Sequence, residues 1–423
     1  MNSAQILAFL SRRALLISTL LVLIATLRIA ATYSVFSHTS DEPAHIACGM
    51  EWLSKGTYRY EAQHPPLTRV MAAIGPFLDG ARTTGHEDFM AEGLILLRGQ
   101  SPDSYERRLA LARMGILPLF WIACLAVFLL GKRALGHSGA VLAVLVFTML
   151  PVVLAHAGLA TTDMGAAAFF SLSLYSLYAL IDEPGIKRGL LSGAALAGMV
   201  LSKFSTLAFL SAALLFCAVQ YWRTEKPSGA SLKACARRLA APALLSLLIT
   251  VLLVWAAYRF SFGPAPYVPF PAPFPELAAG LKQVAEHNAK GHLSYFLGET
   301  SMSGSWLFFP VVLLVKTPLA VLALAAVSLF MARPKAAGAP ARFVWTVIAA
   351  VLAVAMTANI NIGLRHILPL MPFLAVAAAS GLLVLFEKAG RSRWPQDAAL
   401  ALIVLLAGSS IMAHPDYLPY FNL

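Results

Sequence analysis

Apolar residues fall into repeated runs of roughly 17 to 25 positions, the length an α-helix needs to cross the hydrocarbon core of a bilayer, separated by short polar loops. The pattern predicts spans at about 14–36, 114–130, 139–155, 164–181, 239–260, 306–331, 343–358, 366–386 and 397–413. Residues 189–222 read either as one long tilted helix or as two short spans folded back at Lys203. Basic residues on both flanks favour the fold-back. Together these make an all-α polytopic membrane protein of about eleven transmembrane helices, since a helix satisfies its own backbone inside lipid.

The loops richest in Lys and Arg all fall on one face of such a bundle: Arg12-Arg13, Lys132-Arg133, Lys187-Arg188, 223–238, 333–342 and 388–393. Positive charge stays on the cytoplasmic side. The N-terminus is therefore expected inside, and the mixed-charge segments 37–113 and 261–305 outside. Within the first, residues 41–54 place Ile46, Met50 and Leu53 on one helical face. From Pro65, Leu67, Val70, Met71, Ile74, Phe77 and Leu78 repeat at helical spacing. Such pieces lie in the interface plane. A third helix is expected over 101–113, capped by Ser101. The second outer segment opens on GPAPYVPFPAPFP, where neither regular helix nor strand is expected. It continues into a short polar helix over 276–290.

Composition sharpens this picture. Of 423 residues, 59% are hydrophobic and 12% charged, about half the charged fraction of a soluble domain. The net charge of +12 sits mainly in the inner loops, where it suits anionic lipid and not nucleic acid. Cys48, Cys124, Cys217 and Cys235 form neither a disulfide framework nor a zinc spacing, and no metal or other cofactor is expected. The first run is too long for a signal-peptide core and lacks a small-x-small cleavage site, so it reads as an uncleaved span.

Charge at the place where a span leaves the membrane needs a reason. Asp41 and Glu42 open the first outer segment. They read equally as solvated carboxylates capping an interfacial helix, or as a general base beside a second acid that raises its proton affinity. His64-Pro65-Pro66 ends an extended stretch and opens a helix, which holds the imidazole at the interface; a loop histidine is also often merely exposed. Lys203, Lys316 and Arg365-His366 border or interrupt apolar runs, where charge is costly and marks function unless it snorkels. Snorkelling suits Arg365. Lys316, inside VVLLVKTPLAV, is harder to explain that way. Such cations would suit an anionic headgroup reached from lipid. Asp163 and Glu299 stand singly at span ends, where a cap or local ion pair is the plain reading, and for Asp163 a functional part stands beside it.

The stretch DEPAHIACGMEWLSKGTYRYEAQHPPL resembles the first periplasmic loop of lipid-carrier-dependent GT-C glycosyltransferases of the family 39 type. That group includes protein O-mannosyltransferases and the aminoarabinose transferase acting on lipid A. LATTDMGAAAFF at Leu159, GMVLSKFSTL at Gly198 and YFLGETSMSGSWLFFPVVLLVKTPL at Tyr295 are similar to the same group. So are NIGLRHILPLMPF at Asn361 and AHPDYLPYFN at Ala413. The resemblance implies a GT-C-like bundle over 1–423, a single transmembrane domain without the soluble C-terminal domain that follows YFN in such relatives. It implies a bacterial inner membrane, with the site on the periplasmic face.

Carried over residue by residue, the resemblance puts the loop acid at Asp41 with Glu42 beside it, and the HPP motif at His64, Pro65 and Pro66. The span-four acid falls on Asp163 and the basic groups on Lys203, Lys316 and Arg365. The partners it implies are a polyprenyl-phosphate-linked sugar donor, a protein or lipid acceptor and membrane lipids. On this reading Asp41 takes the acceptor proton and the anomeric centre inverts. Arg365, Lys203 and Lys316 neutralise the departing phosphate in place of a metal, and Glu42 and His64 orient Asp41 or the sugar. A transporter or lipid flippase is the rival class, without the internal repeat that many transporters carry; an inactive scaffold is a third reading.

Overall fold

The computed structural model describes residues 2–99, 101, 103–331, 339–389 and 393–422. Arg333, Lys335 and Arg391, expected in inner loops, lie outside the described residues. The first apolar run is α2 (Ala14–Ala30), preceded by α1 (Ser3–Arg12) at 82° to it.

Four helices make the first segment expected outside: α3 (Glu42–Lys55), α4 (Pro66–Leu78), α5 (Phe89–Arg98) and α6 (Ser104–Met114). Pro66 begins α4 where no amide donor is missed. The side chains of α3 bury the expected Ile46 and Met50, along with every other residue from Glu42 to Glu51. Those of α4 do not. Its buried side carries Thr68, Arg69, Ala72 and Ala73, while Ile74 and Leu78 of the expected apolar face are exposed. Where lipid competes for large apolar groups, small and polar side chains pack inward. The sequence reading missed α5, whose cap Asp88 accepts from the Met90 and Ala91 amides. The cap position of α6 is Asp103, not Ser101.

A long helix, α7 (Leu117–Met149), is in fact two arms folded back at Gly136, whose φ of +76° only glycine adopts freely. It leads through α8 (Pro151–Ala157) to α9 (Asp163–Asp182). The ambiguous 189–222 region resolves into two helices, α10 (Ile186–Val200) and α11 (Ser205–Glu225), broken at Lys203. Helix α10 packs on α9 and α12 (Gly229–Ala257), whereas α11 packs on a later helix.

The Pro-rich stretch is closed by a two-residue ladder, β1 (Phe262–Gly263) against β2 (Ala272–Pro273), where no strand was expected. Pairing only at the two ends of the loop tolerates the intervening prolines. Next come α13 (Pro275–Lys290) and the hairpin β3 (Ser294–Phe296) with β4 (Glu299–Ser301). The expected span 306–331 is broken at Thr317-Pro318 into α14 (Phe308–Lys316) and α15 (Leu319–Met331), bent by 113°. Pro318 has no amide to continue the ladder. Then follow α16 (Ala339–Ala355), a 3-10 segment Leu364–Leu370, α17 (Met371–Lys388) and α18 (Trp394–Met412).

Among the described residues six helices have the length and apolarity of a span, and eight do if each bent pair counts as one. Each of the eleven expected spans has helix at its place once the two arms of α7 are taken separately, but α10 and α16 are short. Helix α17 is buried along most of its length against α7, α9 and α15, whereas α11, α12 and α18 show mostly open surface.

Candidate active site

Asp41 occupies the cap position of α3, but its side chain makes no capping bond. It pairs instead with the guanidinium of Arg365, brought from the 3-10 segment 324 residues away in sequence. Both side chains keep some exposure, 38% for Asp41 and 27% for Arg365. Acid and cation are therefore in direct contact.

Glu42 points the other way and is fully buried. Arg113 donates to both of its oxygens, at 2.9 and 3.0 Å. Further bonds come from the Thr39 amide and hydroxyl and from the Ala160 amide. Arg113 spends its remaining donors on the carbonyls of Tyr33, Phe36 and Ser37. Glu42 is thus an anchor that holds the start of α3, and with it Asp41, against α6 and the α8–α9 link. With both oxygens bonded and no exposure, it is not placed to exchange a proton with a substrate.

Arg365 lines a cavity of about 270 Å³ with Lys316, His156, Thr39 and Tyr420. Drug-sized pockets run from ~300 Å³ upward, so this one suits a phosphate and part of a sugar, not a whole lipid. Lys316 sits at the end of α14, where the helix breaks, not within a continuous span. Its Nζ donates to the Leu418 carbonyl at 3.0 Å and lies over the Phe421 ring. The segment after α18 therefore forms one wall, with Tyr417 and Leu418 in the lining. His366, beside Arg365, is enclosed, and its Nε2 has no hydrogen-bond partner among the described residues; nor has His156 Nδ1.

Asp163 and Lys203 pair with each other at 2.6 Å, both largely buried. Lys203 is thereby committed to the acid at the start of α9, and the cations left at the cavity are Lys316 and Arg365. Glu299 is exposed at the start of β4, with no ion pair among the described residues.

His64 joins a cluster that the sequence reading missed. Arg69, 1% exposed, donates through Nε to His45 Nδ1 at 2.9 Å and through Nη1 to the Tyr58 hydroxyl and the Glu61 carbonyl. Its Nη2 pairs with Glu61 Oε2 and reaches His64 Nδ1. The bond from Arg69 fixes His45 Nδ1 as an acceptor, so this imidazole is neutral with its proton on Nε2. Burial first, then the Arg69 charge, pushes the His45 pKa well below 6.5. Burial also lowers that of His64. For Glu61, burial works upward, but the hydrogen bond from His64 and the Arg69 charge prevail and hold the carboxyl at about 2. The available signal was an arginine within α4 and one acid, a tyrosine and two histidines clustered around it; only a fold-back of α4 onto α3 brings them together.

Among the described residues, no group of three or more His, Cys, Asp or Glu is placed to hold a metal ion. The arrangement is an acid beside a cationic, partly enclosed cavity, with the acid's backbone clamped from behind.

A model of the family described as dolichyl-phosphate-mannose-protein mannosyltransferase matches residues 112–240. Among solved structures, ArnT from Cupriavidus metallidurans bound to undecaprenyl phosphate superposes with a TM-score of 0.59 and 16% identity, covering 95% of this chain and 73% of that one. The chain has the GT-C fold. The apo state of the same ArnT agrees, with a TM-score of 0.60, 16% identity and coverage of 94% and 65%. The Archaeoglobus fulgidus oligosaccharyltransferase tethered to an acceptor peptide gives a TM-score of 0.58 at 14% identity, covering 93% of this chain and 55% of that one. The GT-C chain thus spans about half the length of the archaeal enzyme. A comparison with curated protein sequences finds no match. The fold and the family match bear out the resemblance read from the sequence.

Proposed function

We propose that this GT-C protein transfers a sugar from a polyprenyl-phosphate donor to an acceptor hydroxyl, at the outer face of a bacterial inner membrane. The observation that supports this most is the ion pair of Asp41 with Arg365, which in turn lines one small cavity together with Lys316. In the reaction the acceptor oxygen attacks the anomeric carbon, and the bond from that carbon to the phosphate oxygen breaks with inversion. The acceptor proton passes to Asp41, and the electron pair leaves on polyprenyl phosphate. Developing charge on the phosphate meets Arg365 and Lys316, fixed cations in a site partly closed to water. They do here what a divalent metal does elsewhere, so the scheme routes no step through one. The Asp163–Lys203 pair and the Arg69 cluster hold α9, α10 and α4 around the site.

The direct pairing of Asp41 with Arg365 supports one order of events. A donor phosphate that takes over Arg365 releases Asp41 from its ion pair, and the base becomes free when a donor is present. Asp41→Asn keeps the shape and removes the base, so sugar transfer should fall by ~100- to 10,000-fold. An unchanged rate in a folded Asp41→Asn protein would sink this mechanism. Mass spectrometry of lipids and envelope proteins from cells with and without the protein would identify sugar and acceptor together.

A further inference from the structure

A second cavity lies away from this site. It is a crevice of about 860 Å³ between α11, α15, α16 and α17. Most of its wall is apolar, with Leu215, Phe216 and Trp345 among the lining residues, while Arg223 and Arg342 line one end. Ser380 of α17 also lines it. From Arg365 to Ser380 the chain runs along one 3-10 and helical segment, a separation of roughly 25 Å at the rise of those helices. Arg223 and Arg342 belong to the basic loops that the positive-inside rule places on the cytoplasmic face. Arg342 has only a loose pair, at 3.9 Å, with Glu225. Arg223 has no ion pair among the described residues.

We propose that this crevice binds an anionic phospholipid of the cytoplasmic leaflet, with its headgroup phosphate on Arg223 and Arg342 and an acyl chain along the apolar wall. Charge complementarity selects the occupant. Two arginines at the polar end of an intramembrane groove match a phosphate, and basic pockets between helices at this depth recognise anionic headgroups. Arginine is also able to bind such a group through two parallel donors. The lipid would fill the space between α11 and α16, where the protein itself leaves a gap, and so tie α11 to the bundle. This site is separate from the sugar-transfer reading and does not depend on it.

The test uses the full chain in detergent, with dioleoyl-phosphatidylglycerol and dioleoyl-phosphatidylcholine as probes, read by native mass spectrometry and thermal unfolding. Phosphatidylglycerol should stay bound and raise the unfolding temperature, phosphatidylcholine should not, and raised salt should weaken the effect. Arg223→Ala with Arg342→Ala should weaken phosphatidylglycerol binding about thirtyfold, roughly fivefold per arginine. Ala349→Trp plugs the crevice while keeping both arginines, and should lose the lipid as well. Equal retention of the two lipids overturns the proposal, as does equal protection by inorganic phosphate alone. So does a phosphatidylglycerol preference that survives either variant. The comparison of the two lipids on the unmodified protein decides the matter even if a variant fails to fold.

Discussion

Arg69 and Arg113 each spend their donors on several partners at 1% exposure, and each closes a loop of the first outer segment onto a helix. Removing one partner of such a buried pair costs more than the pair contributes, because the remaining charge is stranded. Arg69→Met should therefore lower stability by ~3–5 kcal/mol in chemical denaturation, with Glu61 left uncompensated. The exposed pair of Arg107 with Asp79 should matter far less. The same cluster sets a pH response. His45 and His64 have folded pKa values below 6.5, so as pH falls through 6.5 the unfolded chain takes up protons that the folded protein refuses, and stability drops. Glu61 adds a contribution that is full above 4.5 and is lost as pH falls toward about 2. The unfolding temperature should decline in acid across both windows, and Glu61→Gln should flatten the lower one.

The helices of the outer segment approach each other more closely than their apolar periodicity suggests. Gly49 of α3 lies against the backbone of α4, and a Cβ there would overlap the Arg69 carbonyl and the Ala73 side chain. Gly49→Ala should cost ~1–3 kcal/mol by overpacking and displace α4 together with Arg69, which a lowered unfolding temperature would register. Helix α4 also shows why periodicity alone misassigns a face. The i, i+3, i+4 pattern located the helix correctly, but in lipid surroundings the large apolar side outlines the exposed surface, and Thr68, Arg69 and Ala72 mark the packed one. Likewise, the apolarity of 306–331 predicted a single span, and the break at Thr317-Pro318 turned Lys316 from an intramembrane charge into a residue of the cavity wall.

At the scale of the whole molecule, the last described residues complete the site from outside. Asn422 donates from Nδ2 to the carbonyls of Leu314 and Thr317, both at 2.6 Å, and from its amide to Val315. These carbonyls are the ones left free where α14 ends. Asn422→Ala should loosen the wall carrying Tyr417 and Leu418, at a cost of ~1–3 kcal/mol for the hydrogen bonds lost. Faster proteolysis of the C-terminal segment and weaker lipid-donor binding, with the fold kept, are the expected outcome. The sequence by itself determined that the chain is a bundle of apolar helices, and it marked Asp41, Glu42, Lys203, Lys316 and Arg365 alike as charges at or within apolar runs. Run length and charge are local properties that any window of the chain displays. Only the tertiary structure decided that Asp41 meets Arg365, that Glu42 is spent on Arg113 and that Lys203 is spent on Asp163. Each of those pairings joins residues from separate helices, and a buried charge takes whichever partner the packing brings within hydrogen-bond reach.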